Sequence, residues 1–582
     1  MGVDCYLSNP DHVTAALLPL TSKRRNRTRP LKIAHENTFR TMEISYGMVA
    51  GVLLLCYIVW RISSHSGPHL PKGLPIIGAR KGDWFPLWQA TLRNSLNIKK
   101  AVLDGYKQYP TQAAILPVAG PGGASFVLLP ASEIQFATEQ PDSVLSLRSV
   151  VYRGLFFEYT VADQFIVSHG GHQHLAATTL THQIGNLLSA LNEETAFNFE
   201  QAWGTDTETF RDVGVWETIG RTMGGVTNRA FVGLPYCRDP ALLSAGLNFA
   251  RCLPLSVGLL SFVWEPLRPL AAPLFTLPNR IFERRFTNIL LPEVERRLRH
   301  RFDHVNDDTE KYVADKNDFL QWCIEQAIAS GDPRMWKPRS LAGRVLLLNL
   351  VSIHTSSIAA TNLVLDLLSS NAETLDELRN EITSVLAETQ GVWTKTAMYK
   401  MEKLDSVFRE SARLNVPSAV SLQRVVVAKD GVTTPSGVHI PYGNLCAVPS
   451  IAVLADARKY ALPESFDPFR FVHLRREVNS GEGLPDHVER SRLSFPSTNN
   501  DYLVFGNGRQ ACPGRFFAAA ELKLMFAYVL LHYDFEILPK RPSETYLGIL
   551  RVPQFKAKIR VKRRKPSEIP VFRFPTHDVD WS

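Results

Sequence analysis

At 582 residues and a net charge of +9 at pH 7, the chain exceeds the usual size of one compact core, yet no long linker divides its middle. Its seven cysteines are scattered and lack CxxC or metal-finger spacing, which argues against a disulfide scaffold and favours a reducing compartment for the main domain. The excess of lysine and arginine lies near both ends, and the sequence contains neither a nucleic-acid-binding module nor an internal repeat.

The first 43 residues form a polar, basic extension in which no pattern predicts a folded unit. Residues 44–62 follow as a hydrophobic segment, and its 17 uncharged residues Ile44–Trp60 are just enough to span a bilayer as one helix. A cleaved signal peptide is the alternative, but the run starts late and lacks the small-residue cleavage pattern. We therefore predict a single N-terminal transmembrane helix.

The sequence leaves the orientation of this helix open. The basic residues from Lys23 to Arg40 favour a cytoplasmic N-terminus by the positive-inside rule, which would place the main domain in the lumen. A chain beginning at Met42 would instead carry its basic residues after the span, as at Arg61, and its main domain would be cytoplasmic. Asn26 begins the N-glycosylation sequon Asn-Arg-Thr, so glycosylation there would indicate a luminal tail.

Residues 63–78 are rich in proline and glycine, so they cannot continue the helix and are predicted to form a stiff hinge. Beyond the hinge, short apolar runs predict β-strands at 114–118 and 126–129, and helical periodicity then dominates as far as about residue 330. Within that helical part, the proline-broken apolar stretch 253–278 is either buried core or a surface that dips into a membrane. The expected fold class is therefore mainly α with a small β region.

A long proline-free stretch, residues 341–370, is predicted to form one buried helix. Its first half is apolar, but the run Ser-Ile-His-Thr-Ser-Ser at 352–357 then places hydroxyl groups and an imidazole in the middle. Buried polar side chains need partners, and hydroxyls within a helix can bond to the carbonyl four residues earlier and widen the turn locally. A ligand-sized gap beside this helix would use such a break.

Two further segments carry charged residues. Residues 404–414 predict an amphipathic helix in which Glu410 and Arg413 lie three apart on one face. A Glu-x-x-Arg pair on its own usually marks a surface ion pair, so it carries little weight without its context. Further along the chain, Arg470 lies within Phe-Asp-Pro-Phe-Arg-Phe at 466–471. Short runs between these segments predict strands of a small β region.

The most distinctive stretch is residues 505–514, Phe-Gly-Asn-Gly-Arg-Gln-Ala-Cys-Pro-Gly, which precedes an apolar, alanine-rich helix. Its glycines allow the backbone to turn tightly and to approach a flat ligand closely. Cys512 lies just before the helix, where amide N–H groups lower a thiol's pKa and can donate hydrogen bonds to its sulfur. A lone buried cysteine is more often a small hydrophobic side chain, so its assignment depends on the surrounding motif.

Phe-x-x-Gly-x-x-x-Cys-x-Gly leading into a helix resembles the haem-binding loop of the cytochrome P450 family. The proline-rich hinge, the hydroxyl-bearing helix, and Glu-x-x-Arg with Phe-Asp-Pro-Phe-Arg-Phe precede it in the family's order. The resemblance implies a cytochrome P450 fold, preceded by the single transmembrane helix. It also implies a haem-thiolate catalytic domain over residues 79–560 and a basic C-terminal tail at 561–582.

The resemblance assigns roles to the residues of the cysteine-containing loop. Cys512 would be the axial thiolate ligand of the iron in haem b, and Arg509 would pair with a haem propionate. The family commonly has Arg or His two residues before the cysteine, where this chain has Gln510. The cofactor-binding residues would be Phe505, Gly508, Arg509, Cys512 and Gly514.

Outside the loop, the resemblance assigns roles to two other groups of residues. Thr355 falls on the threonine that supports proton delivery during oxygen activation in this family, and His354 stands where an acid is common. His354 is either a titrating relay or a helix histidine that faces away from the oxygen side. The buried cluster expected to support folding and haem retention consists of Glu410, Arg413 and Arg470.

The activity that the resemblance implies is monooxygenation with O₂ and electrons from NADPH. The electrons would come from a membrane-bound NADPH-cytochrome P450 reductase, with cytochrome b5 as a further donor. Microsomal members usually have a cytoplasmic catalytic domain anchored in the endoplasmic reticulum membrane. Likeness of the Ile-His-Thr-Ser helix and the segment Ala79–Phe85 to filamentous-fungal members implies a lipophilic secondary metabolite as substrate, a terpenoid or meroterpenoid.

Two other functions remain open at the level of sequence. A haem-thiolate isomerase or dehydratase of the same fold would need neither reductase nor NADPH, and the pair Thr355-Ser356 argues against it. A non-enzymatic haem-binding membrane protein would explain Cys512 but not the polar break in the long helix. Consumption of NADPH in the presence of substrate separates a monooxygenase from both.

Overall fold

A computed structural model of the chain describes residues 70–119, 125–304, 316–478 and 491–570, together with Gly51. The chain forms two compact units, Met1–Ser64 and His65–Ser582. The predicted transmembrane helix, apart from Gly51, and the sequon at Asn26 lie outside the described residues. The helices and strands with defined ends all lie in the second unit.

Short strands form the β part of the second unit. In chain order they are β1 (Ala114–Pro117), β2 (Ser125–Leu128), β3 (Leu145–Ser146), β4 (Arg211–Gly214), β5 (Ser421–Val426), β6 (Val432–Thr433), β7 (His439–Ile440), β8 (Leu445–Val448), β9 (Tyr533–Phe535), β10 (Thr545–Leu547), β11 (Leu550–Val552) and β12 (Lys558–Arg563). The strands predicted at 114–118 and 126–129 are present, each within one residue of its predicted ends.

The largest described sheet has the strand order β1-β2-β8-β5-β3. β2 pairs antiparallel with β1, with Ala114 opposite Leu128, and parallel with β8. The end of the predicted hinge joins this sheet, because the N–H of Ile77 donates to the carbonyl of Ile115 at 2.9 Å and the N–H of Ile115 donates to the carbonyl of Pro75 at 2.8 Å. The chain that follows the hinge is thus held against the sheet edge.

Helices make up most of the described chain. They are α1 (Pro86–Leu96), α2 (Ile98–Gln108), α3 (Ile134–Glu139), α4 (Leu147–Gly154), α5 (Phe157–Thr160), α6 (Gln164–His169), α7 (Gly171–Leu175), α8 (Thr181–Trp203), α9 (Val215–Phe231), α10 (Pro240–Phe262), α11 (Arg268–Phe275), α12 (Leu277–Asp303), α13 (Phe319–Ala329), α14 (Pro338–Leu368), α15 (Ala372–Glu388), α16 (Lys395–Lys400), α17 (Glu402–Leu414), α18 (Ser450–Val453), α19 (Arg470–Val478) and α20 (Arg515–His532). The predicted fold class, mainly α with a small β region, agrees with this architecture.

The long predicted helix is α14, which packs against α9, α12, α13 and α17. Its residues are buried around the whole circumference at both ends, because they belong to the largest hydrophobic core. In the middle of the helix, however, the side chain of Val351 is 54% exposed, and Thr355 is exposed one turn later. An exposed face in the middle of a core helix indicates an internal cavity rather than solvent.

The apolar stretch 253–278 forms the end of α10, a short turn and α11. One side of it is core, since Leu253, Val257, Leu260 and Ala272 are buried in a cluster with Phe156. The other side is exposed, and its large apolar side chains include Leu255, Phe262, Leu270 and Leu274. One face of the segment is therefore buried core, and the opposite face is an exposed apolar surface.

Two of the described helices, α10 and α14, have the length and mean hydropathy needed to cross a membrane. Most of α14 is buried within the domain, so its hydropathy reflects its place in the core.

A buried carboxyl group between α9 and α20 predicts a pH-dependent stability. Glu521 is fully buried, and the hydroxyl of Thr227 donates to its Oε1 at 2.7 Å. Burial raises the pKa of Glu521 from 4.5 to about 8, so the folded protein keeps a proton that the unfolded chain releases near pH 4.5. The free energy of unfolding therefore falls as pH rises through this interval, by up to about 1.4 kcal/mol per pH unit.

Glu521→Gln stays neutral and is expected to remove this slope. Its melting temperature relative to the wild type should rise between about pH 5 and about pH 8, as measured by thermal unfolding across that range. Glu217→Gln, at an exposed glutamate of α9, is the control and should shift stability equally at every pH. A constant difference between Glu521→Gln and wild type would contradict the buried, protonated carboxyl.

Candidate functional site

The cysteine loop, residues 505–514, is a tight turn that ends at the N-terminus of α20. The N–H of Cys512 donates to the carbonyl of Phe505 at 2.8 Å and closes the turn. Gly506 and Gly508 have φ angles of +71° and +69°, in the left-handed region that side chains disfavour. The turn thus requires both glycines, and it brings the cysteine to the start of the helix.

The sulfur of Cys512 accepts hydrogen bonds from the N–H groups of Gly514 and Arg515. Burial raises the pKa of the thiol, while these two donors and the charge of Arg515 act in the opposite direction. A thiol that coordinates a metal is deprotonated by the charge of the metal ion. The loop therefore contributes two amide donors that stabilise a negatively charged sulfur ligand.

A cavity of about 820 Å³ lies against the cysteine loop. This volume falls within the range of roughly 300–1,000 Å³ that is typical of cofactor and ligand sites. A Cβ placed on Gly514 would meet no atom within 4 Å, so the backbone leaves room there for a flat ligand. The predicted site residues that line the cavity are Thr355, Phe505, Arg509, Cys512 and Gly514.

Gly508 does not line this cavity and has a structural part in the loop. A Cβ at Gly508 would lie 2.8 Å from the Cβ and 3.0 Å from the carbonyl oxygen of Thr138, so α3 packs directly on its backbone. Phe505, at the start of the loop, packs edge-on against Phe495 with ring centres 5.2 Å apart. These two contacts fix the loop against its neighbours.

Thr355 is the predicted catalytic residue that the structure places at the cavity wall. Its hydroxyl donates to the carbonyl of Val351 at 2.7 Å and lies 3.2 Å from the carbonyl of Ser352. The hydroxyl oxygen keeps its lone pairs free to accept a hydrogen bond from water or from a ligand. The polar run in the middle of the helix therefore provides the cavity wall with a hydroxyl group at this residue.

His354 is not part of the cavity wall. Its ring is turned towards α9, where it lies nearly parallel to the ring of Trp216 with centres 6.5 Å apart. Burial, helped by the charge of Arg251, lowers the pKa of His354, so the ring is neutral at pH 7. Of the two alternatives for this residue, the geometry supports the histidine that faces away, and it opposes the predicted relay because no ring atom reaches the cavity wall.

The two polar residues before the cysteine have different surroundings. Arg509 is exposed and lines both the cavity and a polar surface pocket beside Glu139. The amide of Gln510 donates to Asp142 Oδ1 at 3.1 Å, and both residues line the cavity. Gln510 therefore brings an acidic partner to the place where the family commonly has a cation.

Two arginines that the sequence did not single out form no ion pair with any described residue. Arg148 of α4 lines the cavity and donates to the carbonyl of Ser168 at 3.1 Å. Arg424 of β5 is 3% exposed and donates to the carbonyl of Gln423 at 2.8 Å, and within the described part of the chain no carboxylate forms an ion pair with it. Burial lowers the pKa of Arg424 to about 10 against the opposing charge of Asp142.

A guanidinium buried without a carboxylate partner costs free energy unless a bound anion pairs with it. Arg424 is such a guanidinium, but it does not line the cavity. The available sequence signal was a charge within the apolar run of β5. That signal is weak because many strands alternate polar and apolar residues.

The predicted structural cluster is formed. Glu410 accepts two hydrogen bonds from Arg413, from Nε and Nη2, each at 2.8 Å, and one from Arg470 Nε at 3.0 Å. The side chains of Glu410 and Arg413 are completely buried, and that of Arg470 is 8% exposed. The other N–H groups of the two arginines donate to backbone carbonyls. Arg413 Nη1 donates to the carbonyl of Leu454 at 2.7 Å, and Arg470 Nη1 donates to that of Ala461 at 2.6 Å. The cluster therefore joins α17 to the chain on both sides of residue 460.

The residues present fit haem b. A thiol with two amide donors can ligate its iron, the aromatic rings of Phe505 and Phe517 at the wall can pack on the porphyrin, and Arg148 and Arg509 at the wall can bind propionates. Among the described residues, no group of three or more His, Cys, Asp or Glu side chains could hold a separate metal ion. Cys512 is accordingly the candidate metal ligand.

Comparison with known proteins shows the family of the chain. Residues 256–558 match the family model described as Cytochrome P450. Cytochrome P450 monooxygenase gloP of Glarea lozoyensis is 32% identical over 527 residues, which cover 88% of this chain and 95% of that protein. Cytochrome P450 monooxygenase olcJ of Penicillium canescens is 32% identical over 500 residues, which cover 85% of this chain and 89% of that protein.

The solved structure of cyanobacterial CYP120A1 bound to retinoic acid aligns with a TM-score of 0.58 and 19% identity, over 85% of this chain and all of that chain. This likeness confirms the predicted fold of the second unit. The relatives, which cover nearly the whole chain, confirm the predicted family. The protein therefore belongs to the cytochrome P450 family.

Proposed function

We propose that this cytochrome P450 monooxygenase oxidises a lipophilic secondary metabolite with O₂ and electrons derived from NADPH. The observation that carries the proposal is the cavity, whose wall combines a cysteine sulfur held by two amide donors with the hydroxyl of Thr355. Much of the remaining wall is apolar, as at Phe157, Leu347 and Leu350, which favours a lipophilic substrate.

Each residue of the site has a defined task in this proposal. Haem with an axial thiolate supplies the activation of O₂ for insertion into a C–H bond. Cys512 would hold the iron, while the N–H groups of Gly514 and Arg515 stabilise the charge on its sulfur. Thr355 Oγ1 would accept a proton from cavity water and pass one on towards the oxygen side.

Thr355→Ala is expected to uncouple electron use from product formation. Without the hydroxyl, protons are not delivered in the productive order, so NADPH is consumed and hydrogen peroxide is released. Product formed per NADPH should fall by roughly tenfold or more. The measurement is the amount of product and of peroxide formed per NADPH consumed, in a mixture reconstituted with reductase.

Ser357→Ala is the matched control for this prediction. Ser357 lies half a turn further along α14, and its buried hydroxyl bonds to the carbonyl of Ile353 at 2.6 Å without lining the cavity. The control should keep the wild-type ratio. Undiminished product per NADPH in Thr355→Ala would refute the role of the threonine.

We propose NADPH-cytochrome P450 reductase as the electron donor, with cytochrome b5 as a second donor. Support comes from the family, whose monooxygenases need a redox partner, and from the exposed Arg509 beside the cysteine loop, which suits an acidic partner surface. NADPH oxidation that requires both reductase and substrate is the expected result. Substrate turnover without NADPH would instead support the isomerase or dehydratase alternative.

We propose that the protein is a single-pass protein of the endoplasmic reticulum membrane with a cytoplasmic catalytic domain. The uncharged run Ile44–Trp60 supports an anchor, and the exposed apolar face at Leu255, Phe262 and Leu270 supports a second contact with the bilayer. Protease added to sealed microsomes should then remove the catalytic domain. A protected domain would reverse the orientation, whereas glycosylation at Asn26 would indicate a luminal N-terminus.

The proposed substrate class is a terpenoid or meroterpenoid. Support comes from the apolar cavity wall and from the likeness of the Ile-His-Thr-Ser segment at 353–356 to that of filamentous-fungal members. Incubating microsomes that contain the protein with candidate pathway intermediates, with and without NADPH, tests this proposal. Oxidation of other lipophilic classes but no terpenoid would contradict it.

A further inference from the structure

We propose that the ion pair between the buried Asp366 of α14 and the partly exposed Arg541, in the segment after β9, positions the cavity wall around Asn415 and so governs which ligand shapes the cavity accepts. This inference rests on the proposed haem site, because the cavity is taken to be the place where haem and substrate bind. Neither Asp366 nor Arg541 lines the cavity, so both would act through the residues that they hold.

The ion pair is the centre of a network of five side chains. Asp366 is 4% exposed and accepts hydrogen bonds from Ser411 Oγ at 2.6 Å, from Asn415 Nδ2 at 2.7 Å and from Arg541 Nε. Arg541 Nη2 donates to Asn362 Oδ1 at 3.0 Å and to Asn415 Oδ1 at 2.9 Å. We call these five side chains the Asp366 network.

Three members of the Asp366 network line the cavity, namely Asn362, Ser411 and Asn415. Asn362 belongs to α14, which also carries Thr355, and the other two lie on or just after α17. The network therefore ties two walls of the cavity to each other. Asp366 and Arg541, which make this connection, contact the wall residues from the side away from the cavity.

The wall continues beyond Asn415 to Pro417, which also lines the cavity. The carbonyl of Pro417 accepts from the N–H of Arg551 at 2.9 Å, and the Arg551 guanidinium donates to the carbonyl of Leu414. Arg551 lies in β11, and Arg541 precedes the hairpin that β11 forms with β10. The C-terminal part of the chain thus holds this wall from both ends.

The positioning role rests on the guanidinium of Arg541, whose N–H groups point outward in one plane like a fork. A guanidinium can bond to a carboxylate and to two amide oxygens at once in a fixed plane, whereas an ammonium group has no such plane. A buried carboxylate that loses its partner is strongly disfavoured, so the network has one favourable arrangement. If the fork is lost, Asn415 is free to move, and ligands that reach this wall should bind differently from ligands that do not.

The test compares two ligands on the purified, full-length, haem-containing protein. Imidazole is small enough to bind the iron without filling the cavity, whereas 4-phenylimidazole carries a phenyl ring that would extend towards the wall. Their dissociation constants are measured from the shift in haem absorbance. In Arg541→Lys, which keeps the charge but loses the fork, the ratio of the two constants should change by about tenfold, the effect of one altered apolar contact.

Arg297→Lys is the matched control. Arg297 is 1% exposed and bonds in the same forked manner, to Asp318 at 2.6 and 2.9 Å and to Glu293 at 2.7 Å. None of these three residues lines the cavity. The control should lose stability but keep the ratio of the two dissociation constants within about twofold of the wild type, because distant sites act independently.

An equal change of the ratio in both variants, or no change in Arg541→Lys, would overturn the inference. If Arg541→Lys yields no folded haem protein, Asp366→Asn is measured in the same way and its ratio decides between the same two outcomes. A wild-type protein that shows no absorbance shift with imidazole would instead overturn the proposed haem site, and this inference with it. The two failures are therefore distinguishable.

Discussion

Replacing Cys512 with serine is expected to abolish the strongly red-shifted absorbance band that the reduced protein should give under carbon monoxide. A serine hydroxyl stays protonated near neutral pH and cannot replace a soft thiolate ligand, even though the N–H groups of Gly514 and Arg515 remain in place. The measurement is the difference spectrum of the purified, reduced protein with and without carbon monoxide. Monooxygenase activity should be lost together with the band.

Cys252→Ser is the control for this variant. Cys252 lies in α10, is partly buried and does not line the cavity, so its replacement should leave the band unchanged. Haem content must be measured in both variants, because the band disappears both when haem is lost and when haem is retained without its thiolate ligand. A red-shifted band that persists in Cys512→Ser would exclude Cys512 as the ligand and contradict the proposed function.

Glu410→Gln is expected to lower the free energy of unfolding by about 3–5 kcal/mol and to release haem. The variant keeps the size of the side chain but leaves the guanidinium groups of Arg413 and Arg470 buried without a negative partner. The cluster carries no group at the cavity wall, so the loss would reflect folding rather than chemistry. Denaturant unfolding and the haem content of the purified protein are the measurements.

Asp376→Asn is the matched control for Glu410→Gln. Asp376 pairs with Arg379 at the same three-residue spacing and with a 3.1 Å contact, but its side chain is 69% exposed. An exposed pair contributes less than about 1 kcal/mol, so this variant should keep both stability and haem. Equal losses in the two variants, or normal haem binding by Glu410→Gln, would contradict the assigned role of the cluster.

The cysteine loop was predictable because its chemistry is local. Two glycines with positive φ, the cysteine and the start of α20 lie within ten residues, and each follows from backbone geometry near its own position. The pairing of Glu410 with Arg413 was predictable for a similar reason, since residues three apart in a helix share a face. The family resemblance then grouped Arg470 with Glu410, to which it donates at 3.0 Å, and singled out Thr355, which lies at the cavity wall.

The side to which His354 turns was not predictable, because the two ends of α14 are buried around the whole circumference. A hydrophobic pattern reveals the orientation of a helix only when one face is polar, and this helix has no such contrast outside its centre. The cavity that Thr355 faces is formed by elements from several parts of the chain. Only their packing shows which residues of the Ser-Ile-His-Thr run meet the cavity.

The long-range polar contacts likewise could not be predicted from the sequence. Gln510 and Asp142 are separated by 368 residues, and Asp366 and Arg541 by 175. In the sequence each of these residues is indistinguishable from a solvated surface group. Packing brings the partners of each pair together. For Asp366, which is 4% exposed, packing also removes the surrounding water, and this loss of solvent makes the pairing energetically decisive. The local sequence motif thus predicted the candidate iron ligand, while tertiary packing determined which partners surround the cavity.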